Sequence, residues 1–414
     1  MTQSNHIILV PKYMEQFQCI GSICEDTCCR GWSVPIDKAT YKKYKKVQDA
    51  QLAKKLDAEI TRNRANPSDH HYATILLSGC QSCSMLSQDG LCEIQLKLGE
   101  DYLSTTCAEY PRVTNVINGG FEQSASMSCP EAARLALLNP EPMEFFQVPS
   151  KPGQKYSIQS QIFPNSLSPD NIQFYFWDLR IFSIELIQNR QYSITDRLLI
   201  LGLFYETVQE ALSSGAASQI PQLIENYRTL IKTNTLREAF KNITVEATAQ
   251  IQMLKELVDL RIFIGADNHR YLESLNMFLR GIFFEEGNTI ENIADNYQEA
   301  YSTYYRPFMD THSYILENYI VNYIYKNSFP FSGQQNLLEN YVNLALHYCL
   351  IKMHIIGISG YQKENLTIDH VITLIQSFAK TVEHNVKYLQ FAYNYLQRRG
   401  FVSLAGMAIF LKNE

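Results

Sequence analysis

The chain has 414 residues, enough for two or three domains, and 46% of them are hydrophobic, so a sizeable core can be buried. Its formal net charge of −6, from 36 basic and 42 acidic residues, argues against a nucleic-acid-binding protein, because such proteins usually carry a basic excess. Nine of its ten cysteines precede residue 130, which indicates a distinct N-terminal module.

The N-terminus shows no recognisable targeting segment. Residues 7–10 are too few for the apolar region of a secretory signal, and no basic residue precedes them. The nearest candidate for a membrane span, residues 344–358, is interrupted by His347, Lys352 and His354, so it predicts a buried helix. We therefore expect a cytoplasmic protein with no membrane or nucleic-acid partner. In that compartment, clustered cysteines are metal ligands or redox groups rather than disulfides.

The first predicted domain is a small, irregular, cysteine-rich metal-binding module over residues 1–140. The charged, alanine-bearing residues 40–64 predict a helix with an apolar face. Short strands are expected over residues 71–77 and 113–122, and the second is expected to form a hairpin around Asn118-Gly119-Gly120.

The rest of the chain divides into a connector and a helical domain, so the predicted fold class is mainly α. Residues 141–170 are rich in proline, serine and glutamine and predict an extended connector. Residues 171–414 predict an irregular bundle of roughly six to eight helices. Within them, residues 371–396 carry apolar side chains every three or four positions, which predicts one long amphipathic helix.

The N-terminal cysteines have an irregular spacing: Cys19-x4-Cys24-x3-Cys28-Cys29, then Cys80-x2-Cys83-x8-Cys92-x14-Cys107, then Cys129. Thiolates bind soft or borderline metals and few histidines lie near them, so an iron–sulfur cluster or an all-cysteine zinc site is predicted. The irregular spacing slightly favours iron–sulfur, because adjacent side chains such as Cys28 and Cys29 point to opposite sides of an extended chain. Cys349 stands alone in an apolar segment and is predicted to be a core thiol.

Common cofactor motifs are absent from the sequence. Cys24-x3-Cys28 begins the Cys-x3-Cys-x2-Cys motif of radical enzymes, but the third position falls on Gly31. No glycine-rich dinucleotide motif follows a predicted strand, and there is no P-loop. A Rossmann-type enzyme and a P-loop ATPase therefore have no support.

Four segments carry a family resemblance: residues 17–37 (FQCIGSICEDTCCRGWSVPID), 83–112 (CSMLSQDGLCEIQLKLGEDYLSTTCAEYPR), 126–137 (SMSCPEAARLAL) and, more loosely, 317–331 (ENYIVNYIYKNSFPF). The chain resembles the flagellin lysine-N-methylases. The resemblance implies methyl transfer from S-adenosylmethionine to lysine side chains of flagellin. It also implies an iron–sulfur cluster, of the [4Fe–4S] type, held by the cysteine module.

The resemblance also narrows the choice of metal ligands. Cys80 is an extra thiol relative to the family pattern. The predicted ligands are Cys24, Cys28, Cys29, Cys83, Cys92, Cys107 and Cys129. Two alternatives stay open: a zinc-binding structural or interaction protein without catalysis, and a thiol redox sensor.

Methylation of lysine requires a neutral amine, whereas free lysine has a pKa of about 10.4. Aromatic walls suit such a site because they stabilise cations. Tyr297, Tyr301 and Tyr304 are predicted to share one helix face, although an aromatic core stripe is the simpler interpretation. Arg112, after Tyr110, is a candidate for binding a carboxylate, with a structural ion pair as the simpler interpretation.

Overall fold

The computed structural model describes residues 7–79, 81–150, 156–266, 268–332 and 336–414. Cys80 therefore lies outside the described residues. The protein is mainly α-helical, which confirms the predicted fold class. In the described part of the chain, strands are confined to the N-terminal region, and helices form the remainder.

The strands form two small sheets. They are β1 (Ile7–Pro11), β2 (Val34–Ile36), β3 (Ile60–Arg62), β4 (Ala73–Ile75), β5 (Arg112–Ile117), β6 (Gly120–Ala125), β7 (Phe145–Pro149) and β8 (Ile158–Ile162). One sheet has the order β7-β1-β6-β5-β8 and the other the order β2-β4-β3. The predicted β5–β6 hairpin is confirmed, and Asn118 and Gly119 have the positive φ angles that a two-residue hairpin turn requires. The segment predicted as an extended connector supplies the edge strands β7 and β8.

Short helices lie among these strands: α1 (Tyr13–Gln16), α2 (Lys38–Tyr44), α3 (Ala50–Glu59), α4 (Glu93–Leu98), α5 (Thr105–Glu109) and α6 (Pro130–Leu137). The single helix predicted over residues 40–64 is wrong, because the chain there forms α2, α3 and then β3. The side chains of Asp37 and Asp49 accept hydrogen bonds from the backbone N–H groups of Thr40 and Leu52, so each aspartate starts its own helix. Strand β4 confirms the strand predicted over residues 71–77.

The C-terminal helices are more numerous than predicted. The described residues contain α7 (Phe176–Ile187), α8 (Ile194–Ser213), α9 (Ile220–Lys232), α10 (Thr235–Lys241), α11 (Ala247–Phe263), α12 (His269–Gly281), α13 (Ile290–Ala300), α14 (Arg306–His312), α15 (Tyr314–Lys326), α16 (Leu337–Gln362), α17 (Ile368–Phe378), α18 (Val386–Arg398) and α19 (Leu404–Leu411). The expectation of roughly six to eight helices was wrong. The side chains of Ser193, Asn268 and Thr289 cap the starts of α8, α12 and α13.

Helix α16 is the central helix of the bundle. It is long and apolar enough to cross a membrane, but 94% of its most apolar window is buried inside the fold. His347, Lys352 and His354, which interrupt its apolar sequence, are all buried as well. The structure therefore confirms the prediction of a buried helix.

Two π-helical turns change which side chains share a face. The long helix predicted over residues 371–396 is wrong: α17 passes into a π-turn at Ala379–Glu383, and Asn385 then caps a separate helix, α18. A second π-turn at Tyr301–Tyr305 follows α13. It buries Tyr301 and Tyr305 and leaves Tyr304 partly exposed, so the predicted face was wrong at that position.

Buried polar contacts join the five-stranded sheet to the helices. Glu122 on β6 and Arg180 on α7 form an ion pair of 2.7 Å in which both side chains are buried. The Tyr13 hydroxyl donates to Asn322 Oδ1 on α15 at 2.7 Å and accepts from the Ala125 N–H at 2.8 Å. These contacts hold the end of β6, and the Ser126–Cys129 turn that follows it, against the helical bundle.

Candidate functional site

Four of the predicted cysteine ligands surround the small core built on the three-stranded sheet. Cys83 is buried in this core, and Cys29, Cys92 and Cys107 pack against it. The Cys83 N–H donates to the Cys29 carbonyl at 2.7 Å, which ties two distant loops together. Burial raises the pKa of Cys83 to about 11 and that of Cys107 to about 12, and the charge of Cys29 raises both further. Several thiols of this group therefore lie close enough to interact electrostatically.

A second group of thiols lies beside the first. Burial raises the pKa of Cys129 to about 11, with further contributions from the charges of Cys24 and Cys19. Burial likewise raises the pKa of Cys24, whose thiol donates to the Asp26 carbonyl at 3.5 Å. Cys19 was not among the predicted ligands, and the structure places it with this group.

The adjacent residues Cys28 and Cys29 link the two groups. The Cys28 thiol donates a hydrogen bond to the Cys29 sulfur, which lowers the pKa of Cys29 to about 7 and raises that of Cys28. Cys28 also interacts with Cys19 of the second group and Cys107 of the first. The donor set is entirely thiol and suits a soft metal. Among the described residues, however, no three His, Cys, Asp or Glu side chains converge closely enough to hold a metal ion.

The loop of residues 24–32, which carries Cys24, Cys28 and Cys29 and is called the cysteine loop below, is anchored directly on the helical bundle. Asp26, between Cys24 and Cys28, accepts from Lys380 Nζ at 2.7 Å and from Gln376 Nε2 at 2.8 Å. Gln376 Nε2 also donates to the Ser128 carbonyl at 2.8 Å, beside Cys129. Both cysteine-bearing turns are thus fixed by side chains from the end of α17 and from the π-turn.

A cleft of about 480 Å³ opens where the cysteine loop meets the helices. One wall consists of residues 30–32, Tyr110 and Ser128, and the other consists of Arg261 together with residues from the π-turn to the start of α18. The rings of Trp32 and Tyr110 lie 6.1 Å apart, and the Trp32 indole donates to the Cys28 carbonyl at 2.7 Å. The hydrogen bond from Trp32 therefore fixes the aromatic wall of the cleft to the cysteine loop.

A chain of hydrogen bonds lines the floor of this cleft. His384 Nε2 lies 3.0 Å from Ser128 Oγ and 3.1 Å from Ser126 Oγ, and Ser128 Oγ lies 3.0 Å from the Tyr110 hydroxyl. Desolvation lowers the pKa of His384, and the charges of Lys326 and Lys380 lower it further. Burial raises the pKa of Tyr110 well above its usual value. At neutral pH the cleft therefore presents a neutral imidazole beside a protonated phenol.

A buried ion pair supports the π-turn at Ala379–Glu383. Glu383 accepts from Lys326 Nζ at 2.7 Å and from the Tyr319 hydroxyl. Burial opposes the charge on Glu383, but Lys326 and nearby His347 hold its pKa down to about 2. Glu383 and Val386 also line a second cavity of about 260 Å³ on the far side of the turn.

Two other predicted groups lie away from the cleft. Tyr301 and Tyr305 stack on each other at 5.5 Å and line a separate cavity of about 370 Å³. The Arg112 guanidinium lies 5.1 Å from the centre of the Phe17 ring and is not part of the cleft lining. Sequence reasoning missed Trp32, Ser126, Ser128 and His384. The first three lie within three residues of a cysteine, which was a usable signal, whereas nothing in the sequence marks His384.

Comparisons with known proteins indicate which reaction this chain catalyses. The sequence profile of the FliB lysine N-methylase C-terminal domain matches residues 180–410. Lysine-N-methylases of Salmonella choleraesuis and Salmonella typhimurium are each 24% identical over 380 residues, covering 91% of this chain and 91% of the relative. The flagellar biosynthetic protein FliU of Salmonella muenchen is 34% identical over 159 residues, covering 38% of this chain and 92% of FliU. No solved structure matches.

The profile match spans more than half of the chain and includes Arg261, Lys380 and His384, which form the helical wall of the cleft. These similarities favour an enzyme over a metal-binding protein without catalysis. The chain belongs to the FliB lysine N-methylase family and is a protein-lysine methyltransferase.

Proposed function

We propose that this enzyme methylates lysine side chains of flagellin in the cytoplasm, with S-adenosylmethionine as methyl donor, in the cleft between the cysteine loop and α18. The observation that carries the site assignment is the meeting, in one cleft, of an aromatic wall at Trp32 and Tyr110 with the neutral imidazole of His384. The flagellar name of the relative FliU supports the choice of substrate. The nine described cysteines are free thiols.

The cleft suits both reacting groups, which are the sulfonium of the methyl donor and the amine of the lysine side chain. Its volume of about 480 Å³ lies within the range of roughly 300–1,000 Å³ typical of small-molecule sites. The face of Trp32 can stabilise a sulfonium or an ammonium ion through cation–π attraction. S-adenosylmethionine supplies an electrophilic methyl group on such a sulfonium.

The amine must lose a proton before it can attack. In our proposal His384 accepts the proton from the lysine ammonium, because its lowered pKa keeps the imidazole neutral at pH 7. The nitrogen lone pair then forms the N–C bond as the S–C bond of the donor breaks. Ser126 and Ser128, both buried, fix the orientation of the imidazole ring.

We further propose that the thiols hold a [4Fe–4S] cluster, with zinc as the alternative metal. The proposed ligands are Cys24, Cys28, Cys29, Cys83, Cys92, Cys107 and Cys129. A bound metal would hold these groups as thiolates and release their protons. We assign it a structural role, because the loop that carries Cys28 and Cys29 also carries Trp32, whose indole is bonded to the Cys28 carbonyl.

Mass spectrometry of flagellin after incubation with the purified enzyme and S-adenosylmethionine tests the activity. We expect methylated lysines with the wild type and at least tenfold less product with Trp32→Leu, because the variant loses the cation–π surface. Trp177→Leu is the matched control, since Trp177 stacks on Arg180 away from the cleft. Absence of methylation by the wild type, or equal loss in both variants, would contradict the proposal.

A further inference from the structure

The second cavity, of about 260 Å³, shares Val386 with the cleft and is called the accessory pocket below. Glu383 and His384 are adjacent in the chain, and Glu383 lines the accessory pocket whereas His384 lines the cleft. The volume is below the roughly 300–1,000 Å³ typical of sites for drug-sized ligands, so the pocket suits a single side chain rather than a whole cofactor. A side chain bound in it would lie next to the cleft.

The accessory pocket contains a partly buried carboxylate without a cation partner. Glu339, in the first turn of α16, lines the pocket, and its carboxylate makes no ion pair or hydrogen bond with any described residue. Burial raises the pKa of Glu339, and no positive charge among the described residues opposes that rise. Lys326 is the one lysine or arginine in the described lining, and it already pairs with Glu383 at 2.7 Å. The described lining therefore has a net negative charge.

A buried imidazole supplies a second hydrogen-bond acceptor. His347 is 2% exposed and lines the accessory pocket. Its Nδ1 lies 2.6 Å from the Asn343 carbonyl oxygen, and since a carbonyl can only accept, Nδ1 carries the proton. Burial lowers the pKa of His347, so the ring is neutral at pH 7 and Nε2 keeps its lone pair. In the described part of the chain this Nε2 makes no hydrogen bond, and it is not one of the polar atoms that the fold seals from solvent.

Two tyrosine rings also line the accessory pocket. The Tyr323 ring lies 5.1 Å from the His347 ring and 5.9 Å from Lys326 Nζ. Burial raises the pKa of Tyr393, and the charge of Glu339 raises it further, so this phenol lies near the carboxylate. An ammonium ion needs hydrogen-bond acceptors and gains from contact with aromatic rings, and this lining offers both.

We propose that the accessory pocket binds a second lysine side chain of the protein substrate, with its ammonium ion between the Glu339 carboxylate and Nε2 of His347. The proposal rests on the function proposed above and adds a recognition site to it. The pocket would hold one lysine of the substrate while a different lysine reacts in the cleft. Two side chains have this chemistry: an unmodified lysine and a lysine that has already been methylated.

Equilibrium binding without turnover, followed by NMR titration, tests the accessory pocket. The probes are Nα-acetyl-lysine methylamide, its Nε-trimethylated form and the uncharged norleucine analogue. We expect Glu339→Gln to weaken binding of an ammonium probe about tenfold, because a charged partner is lost, and to leave norleucine binding unchanged. Glu291→Gln is the matched control and should change neither, since Glu291 is an exposed glutamate in the first turn of another helix, α13.

A second variant keeps the test valid if Glu339→Gln does not fold. Gln390 is exposed and lines the accessory pocket, so Gln390→Lys should fold and should repel an ammonium probe, again weakening its binding about tenfold. Equal binding of the lysine and norleucine probes by the wild type, or no effect of either variant, would overturn the proposal.

The two ammonium probes identify the ligand. A loss confined to the unmodified probe assigns the pocket to an unmodified lysine, a loss confined to the trimethylated probe assigns it to a methylated lysine, and a loss of both shows that it accepts either. The effect of Glu339→Gln should persist when Trp32→Leu impairs the cleft. If the effect disappears in that background, the probes bind in the cleft and the proposal is wrong. If it persists but the wild type does not methylate flagellin, the accessory pocket stands and the proposed function fails.

Discussion

Lys380 Nζ lies 2.7 Å from Asp26 Oδ1, and this ion pair joins the cysteine loop to the π-turn of the helical bundle. Each side chain is only 11% exposed, and the Lys380 ammonium also donates to the Thr27 carbonyl at 3.0 Å. Asp26 stands between two predicted metal ligands, whereas Lys380 lies four residues before His384. The pair therefore couples the position of the thiols to that of the imidazole.

Replacing Lys380 with methionine should destabilise the protein. The change leaves the Asp26 carboxylate largely buried with Gln376 as its remaining side-chain partner, and removal of one member of a buried pair costs roughly 3–5 kcal/mol. Urea unfolding measures the loss. Lys241→Met is the control, because Lys241 and Glu238 form an exposed pair for which we expect a change below about 1 kcal/mol. Equal changes in the two variants would show that the pair contributes no more than a surface contact.

The methyl-transfer rate should depend on the protonation of His384. Desolvation, Lys326 and Lys380 lower the pKa of His384 below its usual 6.5, against the opposing charge of Glu383. The imidazole is therefore neutral at pH 7, and the rate should fall only as pH decreases through this lowered pKa. Initial rates measured across the pH range show this fall at low pH, which is the acid limb of the rate profile.

A variant pair tests that assignment. His384→Gln should be about a hundredfold slower and should lose the acid limb, because the proton acceptor is gone. His269→Gln is the control, since His269 is exposed at the start of α12, away from the cleft. An unchanged acid limb in His384→Gln would assign the titration to another group.

The sequence predicts a cysteine-rich metal module, which stays a prediction, but it predicts nothing of the cleft. Thiols repeat in a short segment and resemble a known family, so their grouping was expected. The cleft joins Trp32 to His384, and no local pattern connects residues that far apart in the chain. The π-turns also could not be predicted from the spacing of apolar residues. A regular helix with 3.6 residues per turn would place Tyr304 on the buried face, whereas the wider π-turn places Tyr305 there.

Metal content should depend on Cys29 and not on Cys349. Cys29 interacts with Cys83, Cys92 and Cys107, so Cys29→Ser removes the thiol that is common to the group. Cys349 is buried alone in α16. Iron, zinc and sulfide analysis of anaerobically purified protein should show metal lost from Cys29→Ser and retained by Cys349→Ser. Full metal loading of Cys29→Ser would remove Cys29 from the ligand set.

Helices α12 and α16 pack so closely that only glycine fits at their contact. A Cβ atom on Gly281 would lie 1.8 Å from the Gly357 carbonyl oxygen, and one on Gly357 would lie 2.7 Å from the Phe278 carbonyl oxygen. Gly281→Ala should therefore push the helices apart and lower the free energy of unfolding by about 3 kcal/mol, despite the better helix propensity of alanine.

Urea unfolding of Gly281→Ala, compared with Gly79→Ala, measures this effect. A Cβ on Gly79 meets no atom within 4 Å, so we expect its stability to stay close to that of the wild type. Tyr271 and Phe278 of α12 also pack against His354 of α16, so a shift of α12 would disturb these ring contacts. If Gly281→Ala were as stable as Gly79→Ala, α12 would have to move away from α16 without loss of packing, which would contradict the close contact described here.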